Sequence, residues 1–482
     1  MQNPNRLFAI LSQMAQKPDI KFDKLFQKLY NPELWRMAYE MIAPTPGNMT
    51  AGVNGTTIDG MGMELIEGMI ADLKASRYRP TPVRRVYIKK SNGKLRPLGI
   101  PSFQDKLLQT IIKLILESIY EPIFSNDSHG FRPERSCHTA LASIKRLNGI
   151  RWWVEGDIKG FFDNLNQEKL LIILERRITD ARFLHLIRQF LQAGYVEDWQ
   201  YHKTYSGTPP GGNLSPILSN VYLNEFDHKM AKIISEFNQG KVRQIRKSYV
   251  ALRVRKKRAK ILAQKTGDWT KYKAMKKELL STEASDPQDP TYRRMNYTRY
   301  ADDFLIGIIG SKSDVMALKA RLAEYLSTEL QLELSEEKTL VTNVKERVRF
   351  LGYDIVKWKG KRTLRYRTQN TVVTRRTCTR HLALRIPRDK VLTFAKTYGN
   401  PQNWQGTHRT DLLNLSELEI LMTYNAEIRG FLGYYALADN LKLVAGSLLW
   451  MTTSSFFRTL AAKRRSTLPK VAKSMKKGPA NM

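Results

Sequence analysis

Hydrophobic positions change their period several times along the chain, and each change marks an element. Leu107, Leu108, Ile111, Ile112, Ile115 and Ile119 recur at three- and four-residue spacing, which predicts one face of a helix. Ser102 and Asp105 have capping-box spacing at its start. Upstream, the run VRRVYIKK, the turn SNG and the run KLRPLGIP predict a hairpin, with Gly93 supplying the turn. RWWVEGDIKGFFDNL reads as a strand leaving into a turn, and the pattern from about 165 to 195 is helical. YTRYADDFLIGII predicts a strand pair, followed by a helix and then the strand-like runs LELSEEKTLVT and VRFLGYDIV. Residues 1–75 read as short helices around the polar loop APTPGNMTAGVNGTTIDG. KWKGKRTLRYRTQNTVVTRRTCTR is basic and weakly patterned, which predicts a linker or domain edge, and the remainder reads as helices. LVAGSLLWMTTSSFF, residues 443–457, is shorter than the roughly 20 residues a bilayer requires and reads as a buried helix. No membrane span, secretory signal or transit peptide is expected.

Charge narrows the class of protein. The 482 residues carry 80 Lys and Arg against 45 Asp and Glu, a net charge of +35. Such an excess opposes compaction unless a polyanion lies against it, and nucleic acid is the commonest one, with an anionic membrane surface the alternative. Fifteen of the basic residues fall between 241 and 280, against Asp268 and Glu278 alone. That stretch predicts a helical excursion contacting phosphate, or else a merely solvated face. Two cysteines, Cys137 and Cys378, build neither a zinc site nor a disulfide framework and suit a reducing compartment.

In so basic a chain, clustered acids stand out. Asp302 and Asp303 are adjacent at the bend of an apolar hairpin, where two carboxylates repel unless cations compensate. Asp157 ends the strand-like WWVEGDI, 145 positions before Asp302. Phosphoryl transfer by two Mg²⁺ ions about 4 Å apart needs carboxylates in this kind of cage. A bare Asp-Asp pair is equally a solvated turn; the order of both pieces on a basic chain points to a polymerase.

RYADDFLIG, VEGDIKGFFDN, HGFRPERSCHTAL, SGTPPGGNLSPILSNVYLNEFD, LSEEKT and RFLGYDI stand in the order found in group II intron-encoded reverse transcriptases. The resemblance spans roughly residues 20–470 and looks closest to the mitochondrial-like lineage. YNAEIRGFLGYYALADN is similar to the maturase domain that doubles as the polymerase thumb. It implies an α/β right-hand polymerase: an N-terminal extension over 1–80, fingers and palm over 81–360 with a basic insertion at about 227–296, a linker over 361–385, and a thumb/maturase domain with a basic tail over 386–482.

The resemblance also implies roles. Asp157, Asp302 and Asp303 match the catalytic metal-binding triad, with Asp302 the direct ligand of its pair. Phe162 matches the residue under the incoming sugar, which favours dNTPs, although a core aromatic is the plain alternative. Lys89 and Arg96 match fingers residues that neutralise the triphosphate, or form an exposed basic hairpin. Lys338 matches the late palm motif, and Phe350, Leu351 and Gly352 match the primer grip. Tyr424, Arg429 and Tyr434 are candidate RNA contacts, whereas Tyr435 is expected to pack in the thumb. Where the family usually has Pro-Gln-Gly, this chain has Pro209-Pro210-Gly211. Proline lacks the side-chain amide and the backbone N–H, which predicts impaired nucleotide seating at Pro210. A Cys/His-rich HNH endonuclease, present in many relatives, is not expected.

The expected activity is Mg²⁺-dependent, RNA-templated DNA synthesis coupled to splicing and mobility of a group II intron. The expected partners are intron RNA, an RNA template with DNA primer, target DNA and dNTPs, in a bacterial cytoplasm or an organelle. A splicing-only maturase is the alternative. An RNA-dependent RNA polymerase conflicts with Phe162, and a purely structural binder leaves the three carboxylates unexplained.

Overall fold

A computed structural model describes residues 3–475 apart from 90–92, 94, 199, 209–210, 287–288, 359–362, 370 and 377–380. Its centre is an antiparallel sheet ordered Arg294–Tyr300, Asp303–Ile309, Trp152–Asp157, Leu340–Asn343. Trp153, Val154, Leu305, Ile306 and Ile308 are buried, so the strands are held by apolar cover on both faces. One face receives the helix Ser215–Phe237, with Val221, Tyr222 and Phe226 in the core beside Phe304.

The predicted hairpin is present, with Val83–Lys89 antiparallel to Leu95–Ile100 and Ile88 opposite Arg96. Gly93 has φ +82°, as the turn demands. The helix Phe103–Tyr120 follows, and all six predicted face residues are fully buried. Its capping box is only half made. Ser102 Oγ accepts from the Asp105 backbone N–H at 3.1 Å. The Asp105 carboxylate instead accepts from the Tyr78 and Thr81 hydroxyls and the Thr81 N–H, because the loop ahead of the fingers brings stronger donors to it. Residues before the hairpin form the helices Pro4–Ala15, Leu25–Lys28, Pro32–Ile42 and Met63–Lys74, and Leu7, Leu34, Trp35 and Leu73 join the same core.

The basic excursion is two packed helices, Lys247–Thr266 and Thr270–Ser281, with Leu252, Ala259 and Ala263 as its buried positions. Beyond the palm, Val348–Phe350, Tyr353–Lys357 and Leu382–Arg385 make a three-stranded sheet. The helices Arg388–Lys396, Glu417–Tyr434 and Leu441–Lys463 complete a second core.

Two expectations need correction here. Much of 361–385 is regular, because Thr363–Arg367 pairs with Val372–Arg376 and Leu382–Arg385 extends the sheet. The stretch 443–457 lies in a helix only partly covered: Leu448 and Met451 are buried, whereas Leu443 is 79% and Trp450 72% exposed. Among the described residues, no helix is long and apolar enough to cross a membrane.

Candidate active site

Antiparallel pairing places Asp157 directly opposite Asp303, and Asp302 sits in the two-residue turn between Tyr300 and Asp303. Such turns favour residues with positive φ, and Ala301 adopts φ +56° without being glycine. The surrounding structure holds it there. Arg299 is fully buried and donates from Nη1 to the Ala301 carbonyl at 2.8 Å. The same guanidinium donates to both Asp227 oxygens at 2.8 and 2.6 Å, to Asn220 Oδ1 at 3.2 Å and to Ser128 Oγ at 2.8 Å. Burial works against its charge, but the charge and hydrogen bonds of Asp227 outweigh burial and raise its pKa.

The HGFRP segment closes the arrangement from the other side. The His129 N–H donates to the Arg299 carbonyl at 2.9 Å, and the Arg299 N–H to the Asp127 carbonyl at 2.8 Å. A Cβ on Gly130 would stand 2.3 Å from the Ala301 nitrogen, so only glycine lets this loop lie against the turn. Arg132 pins the loop by donating to Glu121 and to the Ser125 and Ser128 carbonyls.

Crowding shapes the titration of the acids. Burial, the charge of Asp302 and the hydrogen bond and charge of Asp157 push the Asp303 carboxyl up to about 7. Burial, then Asp157, raises Asp302, while Lys338 and Arg96 oppose the rise. Lys338 Nζ donates to Asp157 Oδ2 at 2.7 Å, and its pKa is raised by that bond. The Ser335 N–H donates to the Asp157 carbonyl at 2.8 Å, so the SEEKT loop is fastened to Asp157 by backbone and side chain. Among the described residues, no three His, Cys, Asp or Glu side chains form a closed metal cage. The donor set nevertheless fits a hard divalent ion: carboxylate oxygens only, with mutual repulsion that a cation relieves.

Beside the acids lies a cleft cavity of about 750 Å³, lined by Arg96, Phe131, Phe162, Gly211 and Asn213 among others. Arg96 borders this cavity and its charge also reaches Asp302. Phe162 is half-buried and meets Phe161 and Phe131 edge-on. Its backbone carbonyl accepts from the Thr208 N–H at 2.8 Å, which ties the SGTPPGG loop to the turn that carries it. Gly211 has φ +100° and abuts the Gly99 carbonyl, so the loop reaches the fingers hairpin. Pro210 lies outside the described residues. Lys89 is exposed at the end of its strand and does not line the cavity.

Phe350 is buried, and Leu351 and Gly352 form a tight turn with φ +46° and +72°. The thumb helix ends against that turn. Tyr434 Oη donates to the Leu351 carbonyl at 3.0 Å and Tyr435 Oη to that of Gly352 at 3.3 Å. In return the Tyr434 carbonyl accepts from Tyr353 Oη and, at 2.7 Å, from His138 Nε2. Tyr434 remains 40% exposed and Arg429 is exposed, whereas Tyr435 is buried. Tyr424 is corrected: it is 5% exposed, its hydroxyl shared with Ser455 and Thr459 in the thumb core, so it presents no surface to RNA. Sequence reasoning gave no role to Arg299, Asp227, Gly130 or Phe131, although all four lie within motifs it had singled out, RYADDFLIG, SGTPPGGNLSPILSNVYLNEFD and HGFRPERSCHTAL.

A four-stranded antiparallel sheet with three carboxylates at one end, a fingers hairpin over a cleft and a helical thumb defines a template-directed polymerase. The comparisons specify which one. Residues 88–252 match the model of the reverse transcriptase (RNA-dependent DNA polymerase) family, and residues 379–479 that of the type II intron maturase family. The chain is 40% identical to the group II intron-encoded protein LtrA of Lactococcus lactis, over 98% of this chain and 80% of that one. It is 33% identical to the putative COX1/OXI3 intron 1 protein of Saccharomyces cerevisiae, over 95% of this chain and 55% of the relative. Protein YkfC of Escherichia coli is 31% identical over 80% of this chain and 95% of its own. The chain belongs to the group II intron-encoded reverse transcriptase/maturase family. Reverse transcription and intron splicing are the roles of that family, intron RNA is its partner, and its catalysis uses divalent metal ions.

Proposed function

We propose that the chain copies RNA into DNA with two Mg²⁺ ions held by Asp157, Asp302 and Asp303, using dNTPs at the cleft cavity and a primer end at Phe350-Leu351-Gly352. The observation that carries this reading is the register that sets Asp157 against Asp303 with Asp302 at the turn. Bound there, the ions would supply activation of the primer 3′-hydroxyl and neutralisation of the leaving pyrophosphate. Asp157 and Asp302 hold the cations, and Asp303 completes the charge once its proton is lost. Arg96 binds the triphosphate, while Lys89, on the other face of the hairpin in this register, remains an exposed basic residue, and the Phe162 ring excludes a ribose 2′-hydroxyl. Lys338 orients Asp157 and offsets its charge through their ion pair. Intron RNA binds the basic excursion and the thumb face around Arg429 and Tyr434, and target DNA is the acceptor during intron mobility. The cytoplasm of a bacterium is the proposed location, with an organelle as the alternative, since the relatives include a bacterial protein and a plant protein named as mitochondrial.

Pro210 favours one second reading, a maturase whose synthesis has weakened while splicing is kept. Primer extension on an RNA template, with splicing of the cognate intron in parallel, separates the two. Extension by wild type that Asp302→Asn abolishes is the expected result. Extension absent from wild type but gained in Pro210→Gln, with splicing intact, would replace the first reading by the second.

A further inference from the structure

Phe131 adopts φ +57°, in the left-handed region that bulky side chains avoid. It is also 46% exposed, although Gly130 and Arg132 on either side of it are buried. Strain of this kind persists only where the surroundings over-determine the backbone. Here they do so from both sides. Gly130 lies against the Ala301 nitrogen, and its carbonyl accepts from Asn220 Nδ2 at 2.8 Å. The Arg132 guanidinium donates to Glu121 and to the Ser125 and Ser128 carbonyls.

Two ordinary reasons for a phenylalanine do not apply. A core residue would be buried, and a turn needing positive φ would take glycine or asparagine at less cost. What the ring meets is Phe162, edge-on, with centroids 6.3 Å apart and planes at 77°. Both residues line the cleft cavity together with Arg96. Phe162 also meets Phe161 at 5.4 Å and 70°. Phe161 is 2% exposed and packs on Tyr222 in the palm core. These are the two ring partners of Phe162 among the described residues, one fixed by the palm and one by the HGFRP segment. Edge-to-face pairs fix ring orientation as well as adding attraction. Without Phe131, the half-buried Phe162 ring would be braced by Phe161 alone.

We propose that Phe131 is a positioning residue that braces the Phe162 ring and so sets how strictly the site rejects a ribose 2′-hydroxyl. This rests on the sugar-excluding role given above to Phe162. The HGFRP segment then serves two parts of one site: Gly130 supports the turn that carries Asp302, and the next residue supports the wall against the sugar.

Binding rather than synthesis provides the test, so slow turnover does not obscure it. The full chain is assembled with Mg²⁺ on an RNA template carrying a dideoxy-terminated DNA primer. Affinities for dGTP and GTP opposite a template cytosine are read from the survival of the complex against competitor primer–template. Wild type is compared with Phe131→Asn, Phe131→Tyr, Phe162→Ala and the double variant Phe131→Asn/Phe162→Ala. Asparagine tolerates left-handed backbone, so it removes the ring without dislodging the loop.

The preference for dGTP over GTP should fall about three- to tenfold in Phe131→Asn and roughly tenfold or more in Phe162→Ala. In both, the fall should come chiefly from tighter binding of GTP. Phe131→Tyr keeps the ring and should stay within about twofold of wild type. In the double variant the loss of Phe131 should add nothing, because it acts through Phe162. Damage to the fold would weaken both nucleotides alike and leave their ratio untouched. An unchanged ratio in Phe131→Asn, with Phe162→Ala relaxed, would therefore overturn the proposal and leave the role of Phe162 standing. A further fall in the double variant as large as that in Phe131→Asn alone would overturn it too, because the two rings would then act independently. An unchanged ratio in Phe162→Ala would instead defeat the sugar-excluding reading, and no dGTP binding by wild type would defeat the nucleotide site; the proposal falls with either.

Discussion

Arg299 and Asp227 form a fully buried ion pair in which both carboxylate oxygens accept from the guanidinium, and the same guanidinium holds the Ala301 carbonyl at the catalytic turn. All five N–H donors of an arginine are thereby used inside the protein. Removing one partner of such a pair leaves an uncompensated buried charge, at a cost of about 3–5 kcal/mol. Asp227→Ala is therefore expected to lower stability by about that amount in chemical denaturation. Arg299→Lys cannot reproduce five directed bonds and should lose extension activity more than stability. Wild-type stability in Asp227→Ala would refute the role given to this pair.

The opposite pattern is expected of the acids themselves. Asp302→Asn should reduce primer extension by at least a thousandfold while leaving the melting temperature equal or higher, because it removes one of two repelling carboxylates. Calorimetry alongside extension assays checks both halves.

The raised carboxyl of Asp303 fixes a sign for pH dependence. Its folded pKa of about 7 lies above the unfolded value of 3.8, so the folded state binds the extra proton between them. Stability contributed by that proton is present at low pH and is lost as pH rises towards and through 7. In EDTA, Asp303→Asn should therefore melt above wild type at pH 8 and match it much more closely near pH 4. A divalent ion competes with the same proton, so the metal concentration needed for half-maximal extension should rise as pH falls below about 7. A metal requirement independent of pH between 6 and 8 would contradict this.

Gly130→Ala puts a methyl group 2.3 Å from the Ala301 nitrogen, far inside contact distance. The catalytic turn must shift, and extension should fall by tenfold or more with little change in RNA affinity. Filter binding and single-turnover extension separate the two effects.

Arg253, Lys257 and Lys260 are exposed at i, i+4 and i+7 on one helix of the basic excursion. Replacing all three with Gln should weaken intron RNA binding and flatten the dependence of log affinity on log salt by about two to three units. Extension on a short primer–template should be unaffected. An unchanged salt slope would make this face a merely solvated one.

The acids were legible in the sequence because carboxylates are scarce on a chain with 80 basic residues, and a strand-end Asp and an Asp-Asp bend have recognisable settings. The role of Arg299 was hidden for the converse reason: although it opens RYADDFLIG and Asp227 closes SGTPPGGNLSPILSNVYLNEFD, one arginine among many carries no signal, and the 72 residues between them are bridged only by tertiary packing. Tyr424 misled because helical spacing does not reveal that Ser455 and Thr459 wait on the next helix for its hydroxyl. The hairpin within 361–385 escaped because Leu364, Arg365, Tyr366 and Arg367 are all exposed, so no apolar face alternates along the strand. The half-made capping box shows the same limit, since Asp105 had donors in a preceding loop that local spacing cannot count.

The clasp between Tyr434, Tyr435 and the Leu351-Gly352 turn has a consequence for how the two roles of this family can diverge. A single joint carries the end of the thumb helix and the turn proposed to hold the primer, so a force applied to the thumb by folded RNA is transmitted to the turn. Mutations that retune one task at this joint disturb the other. A descendant that abandoned DNA synthesis would be free to lose Asp302, but would keep both tyrosines for as long as it still gripped an intron.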